Sequence, residues 1–208
     1  MKPLLTLFFV GLLSTFAFAQ EKEKAEAVEK APAPEEVTVI MSTSEGNIHI
    51  ELNSAKAPIT VANFLTYVDK KAYDGTVFHR VISDFMIQGG GFTLEGESLK
   101  KAPVAGKPIK NESPTSGSNT RGTISMARTP DPDSATNQFF INVANNDGTE
   151  AYNLDFPHSA GHGYATFGKV SKGLDVVDKI KAVETGVING MGDVPKKTVL
   201  IKSIKRAK

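Results

Sequence analysis

Residues Thr76 to Phe92 read T-V-F-H-R-V-I-S-D-F-M-I-Q-G-G-G-F. Two apolar runs, Val77–Ile82 and Phe85–Gln88, flank Ser83-Asp84 and predict two antiparallel strands with a tight connection. Ser-Asp is not a favoured pair for a primed turn, so the register stays open. With a two-residue loop, Gln88 stands opposite His79 and diagonal to Arg80. Gly89-Gly90-Gly91 then predicts a bulge or a close approach of backbone. Arg80 is the anomaly, a cation in the middle of an apolar strand. A buried guanidinium without partners is costly. Two readings stand at this point. Arg80 is a structural residue satisfied by Gln88 and a carbonyl, or a cation held on the wall of a shallow apolar pocket.

Working outward, the 208-residue chain has room for one domain with appendages. Its formal net charge of +1 gives no basis for nucleic-acid binding. With no cysteine there is no disulfide, thiol nucleophile or thiolate metal site. Eighteen glycines and eleven prolines suit short strands and loops better than long helices.

Met1 to Ala19 has a positive start at Lys2, an apolar run and an A-x-A site at Ala17-Phe18-Ala19. It reads as a cleaved export signal rather than an anchor, because the run is shorter than the ~20 residues a spanning helix needs. Residues 20–36 are Glu, Lys, Ala and Pro and read as a charged linker. The domain is expected over 37–208. Within it, Ile48, Ile50 and Leu52 alternate with polar residues as on a strand with one wet face. Val61, Phe64, Leu65 and Val68 form a helical stripe with Thr60 as its expected N-cap. Residues 95–119 read as a long surface loop. In Asn137–Val143, Gln138, Phe140 and Asn142 share one face while Phe139, Ile141 and Val143 share the other. Leu174, Val177 and Ile180 give a second helix behind Gly173, and Val199–Ile204 a closing strand. The last residues, 205–208, read as a solvated basic tip. About eight strands and two helices, not in alternation, disfavour a parallel α/β sheet and leave an antiparallel barrel or sandwich plugged by helices.

No G-x-S-x-G elbow is present. His158 and His162 have metal-ligand spacing but sit in a glycine-rich loop without carboxylate or cysteine support. Gly89-Gly90-Gly91 matches neither phosphate-binding pattern. No metal and no cofactor is expected.

Phe78-His79-Arg80-Val81-Ile82 followed by Phe85-Met86-Ile87-Gln88-Gly89-Gly90 resembles the signature of the cyclophilins, the peptidyl-prolyl cis/trans isomerases. The likeness continues in Gly122–Arg128, in Ser134–Ile141 and in Phe167-Gly168-Lys169-Val170. It spans Val37 to Ile204, and its short loops are most like those of bacterial periplasmic members. The resemblance implies a mainly β fold, a closed eight-stranded antiparallel barrel capped by two α-helices. It implies catalysis by Arg80 with Gln88 orienting it and His79 at the rim. It implies a proline pocket of Phe85, Met86, Phe140 and Leu154, a groove lined by Ala127, Arg128 and Gln138, and Tyr164 at the rim. Its substrates would be proline-containing segments of unfolded exported proteins, met by a monomer in the periplasm. A holding chaperone that binds such segments without turnover is the rival reading. Asn153 departs from the family pattern, which has an aromatic residue just before the Leu154-Asp155 pair.

Overall fold

The computed structural model describes residues 37–207. The export signal expected at 1–19 and the linker at 20–36 lie outside the described residues. Eight strands follow one another around a single antiparallel sheet. They are β1 (Val37–Thr43), β2 (Asn47–Leu52), β3 (Thr76–Ile82), β4 (Met86–Glu95), β6 (Thr123–Met126), β7 (Phe139–Asn142), β8 (Thr166–Lys172) and β11 (Ile201–Arg206), in the spatial order β11-β1-β2-β8-β6-β7-β4-β3. The two ends of this path meet. Gly75 N–H donates to the Ile201 carbonyl at 2.9 Å, Phe78 N–H to that of Val199 at 3.0 Å, and Val77 bridges Leu200. The barrel is thereby nearly closed, which removes the free edges of an open sheet.

The barrel is filled by residues that alternate along each strand. Ile48, Ile50, Ile87, Ile124, Ile141 and Ile201 are fully buried, as a period of two requires. Helix α1 (Pro58–Asp69) presses Val61, Phe64, Leu65, Tyr67 and Val68 onto one end. There Phe64 meets Phe167, Tyr73 and Phe139 at ring centroid distances of 5.1, 5.2 and 5.8 Å. Thr60 is not the N-cap. The helix starts at Pro58, and Ala57 in the cap position offers no side-chain acceptor. Glu112, from the long loop, takes over that task. Its carboxylate accepts the N–H groups of Ile59 (3.1 Å) and Thr60 (2.8 Å) and the Thr60 hydroxyl (2.7 Å). An anion there satisfies orphan donors and meets the positive end of the helix dipole.

Three features exceed the eight strands and two helices expected. Strand β5 (Ser98–Lys101) adds to β4 inside the stretch read as loop, and β9 (Thr185–Ile188) with β10 (Met191–Pro195) forms a separate hairpin. α2 (His158–Gly161) is a single turn with Ser159 and Ala160 at positive φ, so it caps nothing. α3 (Leu174–Lys181) buries Val176, Val177 and Ile180 behind Gly173, whose φ is +90°. A Cβ at Gly173 would stand 2.4 Å from the Asn47 carbonyl oxygen. Lys205 and Arg206 of the basic tip belong to β11, and the Arg206 guanidinium grips both oxygens of Asp69.

Candidate active site

The β3–β4 connection has three residues, Ser83 to Phe85, closed by Phe85 N–H donating to the Ile82 carbonyl at 3.1 Å. The register therefore differs from the two-residue expectation, with Arg80 directly opposite Gln88 and Val81 opposite Ile87. Phe78 pairs with Gly89, so His79 is an extra residue on β3, a bulge. The bulge has a steric purpose. Phe78 stays in the core, while Arg80 two residues on turns to the outer face.

From Arg80 the pairings run across the sheet through Gln88, Phe140, Ser125 and Thr166. The adjacent row, Val81, Ile87, Ile141 and Ile124, is core. By the pleat, the Arg80 row faces away from it. Met86 and Phe140, two positions apart in this arrangement, are 2% and 4% exposed and make an apolar floor. Half-buried Phe85, Leu154 and Tyr164 surround them, with the Tyr164 ring set edgewise 5.6 Å from Phe140.

Arg80 is half-buried, and its Nε stands 3.5 Å from the Asp193 carboxylate. Gln88 was expected to orient Arg80, and among the described residues no hydrogen bond joins the two. The Gln88 amide donates instead to Gln138 Oε1 at 2.9 Å, although Gln88 and Arg80 lie side by side. Gln138 can reach across because Gly91 lies beneath it; a Cβ there would fall 2.4 Å from its amide carbon.

His79 is not at the rim. It is 2% exposed, with Phe92 4.7 Å from its ring. Burial pushes its pKa down to about 4, outweighing the Val77 backbone and the Gln138 amide, which favour the charged ring. Among the described residues its Nδ1 has no hydrogen-bond partner. At neutral pH it is an uncharged packing residue beneath the groove.

Ala127 and Arg128 follow β6. Ala127 N–H bonds the Gln138 carbonyl at 2.9 Å, holding the two groove segments together. The Arg128 guanidinium lies 4.4 Å over the Tyr164 ring and donates to the carbonyls of Gly163, Thr129 and Ser159. Its side chain braces the 157–163 turn instead of standing free in the groove.

Behind the apolar floor is a polar network that the sequence reading missed. Asn119 is fully buried, and its Nδ2 lies 3.3 Å from the Leu154 carbonyl, 3.1 Å from that of Tyr164 and 2.9 Å from Asp155 Oδ1. Its Oδ1 accepts from Ser125 and Asn142. Asn146 Nδ2 donates to the Phe85 carbonyl at 2.8 Å. Three pocket walls, Phe85, Leu154 and Tyr164, are thus held by their backbones. Asn119 is 23 residues from Asn142 in the chain, and only the periodic face containing Asn142 hinted at the network.

Asn153 turns its amide toward Gly148 and accepts Asp155 N–H at 3.2 Å. The aromatic contact comes from its neighbour. The Tyr152 ring lies 4.2 Å from that of Phe85 and is 40% exposed. No group of three or more His, Cys, Asp or Glu among the described residues is placed to hold a metal.

The fold is an antiparallel barrel that carries an apolar cup and a half-exposed cation on its outer wall. Comparison with known proteins makes this specific. Residues 38–206 match the family described as cyclophilin type peptidyl-prolyl cis-trans isomerase/CLD. A peptidyl-prolyl cis-trans isomerase of Acinetobacter baylyi is 52% identical over 82% of this chain and 88% of its own length. Peptidyl-prolyl cis-trans isomerase B of Escherichia coli is 49% identical over 80% of this chain and 97% of its own. A crystal structure of a cyclophilin type isomerase from Cryptosporidium parvum superposes with a TM-score of 0.64 at 23% identity, over 84% of this chain and 99% of that one. The chain belongs to the cyclophilin-type peptidyl-prolyl cis-trans isomerases. It is an isomerase of proline-containing peptides.

Proposed function

We propose that the protein turns over X-Pro bonds in exported proteins as they fold, with Arg80 stabilising the twisted prolyl amide. Rotation about a peptide bond breaks its resonance, at a barrier of about 18–20 kcal/mol. The cis and trans forms differ by only about 0.5–1 kcal/mol, so the catalyst needs no net driving force. No bond is cleaved, and neither nucleophile nor general base is required. When resonance is lost the prolyl nitrogen regains a lone pair. A guanidinium N–H aimed at that pair makes a bond stronger in the transition state than in the ground state. The proline ring sits on Met86 and Phe140, flanked by Phe85, Leu154 and Tyr164. Gln88 and Gln138, coupled amide to amide, face the backbone on the other side of the rotating bond, with Ala127 and Arg128 along the groove.

One observation carries this reading: the register that sets Arg80, Gln88 and Phe140 in one row, cation beside amide beside apolar floor. His79, 2% exposed, is out of reach of the substrate. A monomer suffices, because the whole row comes from one chain. The test is turnover of a short proline peptide by Arg80→Ala. Activity falls more than tenfold, which is at least about 1.4 kcal/mol of transition-state stabilisation. The unfolding midpoint stays put, since the Arg80 ion pair is exposed. Near-normal turnover by this variant would remove Arg80 from the mechanism. Absence of turnover by the natural protein, with peptide binding retained, would favour the holding chaperone.

A further inference from the structure

The β9–β10 hairpin lies outside every motif discussed so far, yet it delivers a carboxylate to Arg80. Ile188 pairs with Met191 across Asn189-Gly190, whose φ values are +52° and +77°, a two-residue turn of the primed kind. Beyond it the register slips. Val194 pairs with Gly186, so Gly192 and Asp193 together stand against Val187 alone. Asp193 has φ +60°, the left-handed region that aspartate tolerates better than most residues. Backbone held there by a bulge re-aims a side chain. The side chain so aimed brings Oδ2 to 3.5 Å from Arg80 Nε. The base of the hairpin is firm. Val194 is 3% exposed and packs in a small apolar cluster with Val77, on the strand that carries Arg80.

We infer that Asp193 is a positioning residue for the isomerase reaction, holding the Arg80 guanidinium by its Nε edge so that both terminal nitrogens point at the substrate amide. This rests on the role of Arg80 proposed above. Among the described residues, Asp193 is the one ion-pair partner Arg80 has. The guanidinium is planar, so fixing Nε fixes the direction of the whole fork. Both side chains are more than 40% exposed, which limits the effect to that of a surface ion pair.

The experiment uses Asp193→Asn and Asp193→Gly with an uncharged proline peptide. Asn keeps the shape and tolerates the backbone conformation, while Gly relieves it, so neither threatens the hairpin. At low salt both lower kcat about two- to fivefold, the range of an exposed pair, with KM little changed. Raising the ionic strength lowers kcat of the natural protein toward that of the variants, which are themselves insensitive to salt. In an Arg80→Ala background, Asp193→Asn has no further effect. Natural kcat and salt response in both Asp193 variants, with Arg80→Ala inactive, would overturn the role of Asp193 and leave that of Arg80 intact. An active Arg80→Ala would overturn both. A purely structural contribution would lower the unfolding midpoint without a salt-dependent kcat, and that too would overturn it.

Discussion

His79 and Arg80 adjoin in the chain, and the bulge between Phe78 and Arg80 sends one under the groove and the other onto its wall. The two therefore respond to pH differently. The His79 pKa is about 4 in the folded protein against 6.5 when free. The folded state thus binds fewer protons than the unfolded chain between these values. The stability tied to the neutral ring is fully present above pH 6.5 and is lost as pH falls toward 4. Two and a half pKa units amount to roughly 3 kcal/mol. Thermal unfolding followed from pH 7 to pH 4 should show this loss, and His79→Phe should flatten the part due to the ring. The rate constant for a proline peptide should stay level between pH 6 and 8. A step in that profile near pH 6.5 that disappears in His79→Phe would contradict the burial argument. At this scale residue types were legible and surroundings were not. Arg80 stood out as a cation in an apolar strand. That His79 is interior follows from a bulge and a three-residue turn, and the Ser83-Asp84 pair signals neither.

At the scale of elements, α1 was readable from its apolar stripe, but its cap was not, because Glu112 is 52 residues from Thr60 in the chain. No local rule connects a loop carboxylate to a helix start. Glu112→Ala leaves two backbone N–H groups and a buried hydroxyl without their acceptor. It should cost about 2 kcal/mol. For a chain this size that is roughly 4–8 °C in Tm, measured by thermal unfolding. Turnover per folded molecule at 25 °C should be unchanged, as Glu112 touches no groove residue. Glu112→Gln, which keeps one acceptor oxygen, should lose less. An unaltered Tm in the Ala variant would show that water satisfies the helix end. The β9–β10 hairpin was overlooked for a different reason. Asn189-Gly190 between Val187-Ile188 and Met191 is a strong two-residue hairpin signal, weakened here by the two glycines Gly186 and Gly192 in the flanking runs. Reading that dipeptide would have exposed Asp193.

For the molecule as a whole, alternating apolar residues announced the strands, and their failure to alternate with helices left an antiparallel barrel or sandwich, which the family resemblance narrowed to a barrel. Closure came only with the family resemblance and not from the strand pattern, because it depends on carbonyls at Val199 and Ile201 meeting N–H groups at Phe78 and Gly75. Export is the prediction that belongs to this scale. The charged start, apolar run and A-x-A site predict cleavage after Ala19, so intact-mass measurement of protein from the periplasmic fraction should find Gln20 first. A species retaining Met1 to Ala19 would refute it. The pairing of β1 with β11 bears on how this domain can be carried. Val39 stands opposite Arg206, and Ala207 N–H donates to the Thr38 carbonyl at 2.8 Å. Where the barrel begins and where it finishes are thus side by side. A tether at either end, or a short bridge joining the two with a new opening at the exposed Gly96-Glu97 turn, loads one seam of the barrel and leaves the row of Arg80, Gln88 and Phe140 uncut. The domain can accordingly be hung from, spliced into or permuted within another chain as a self-contained cassette.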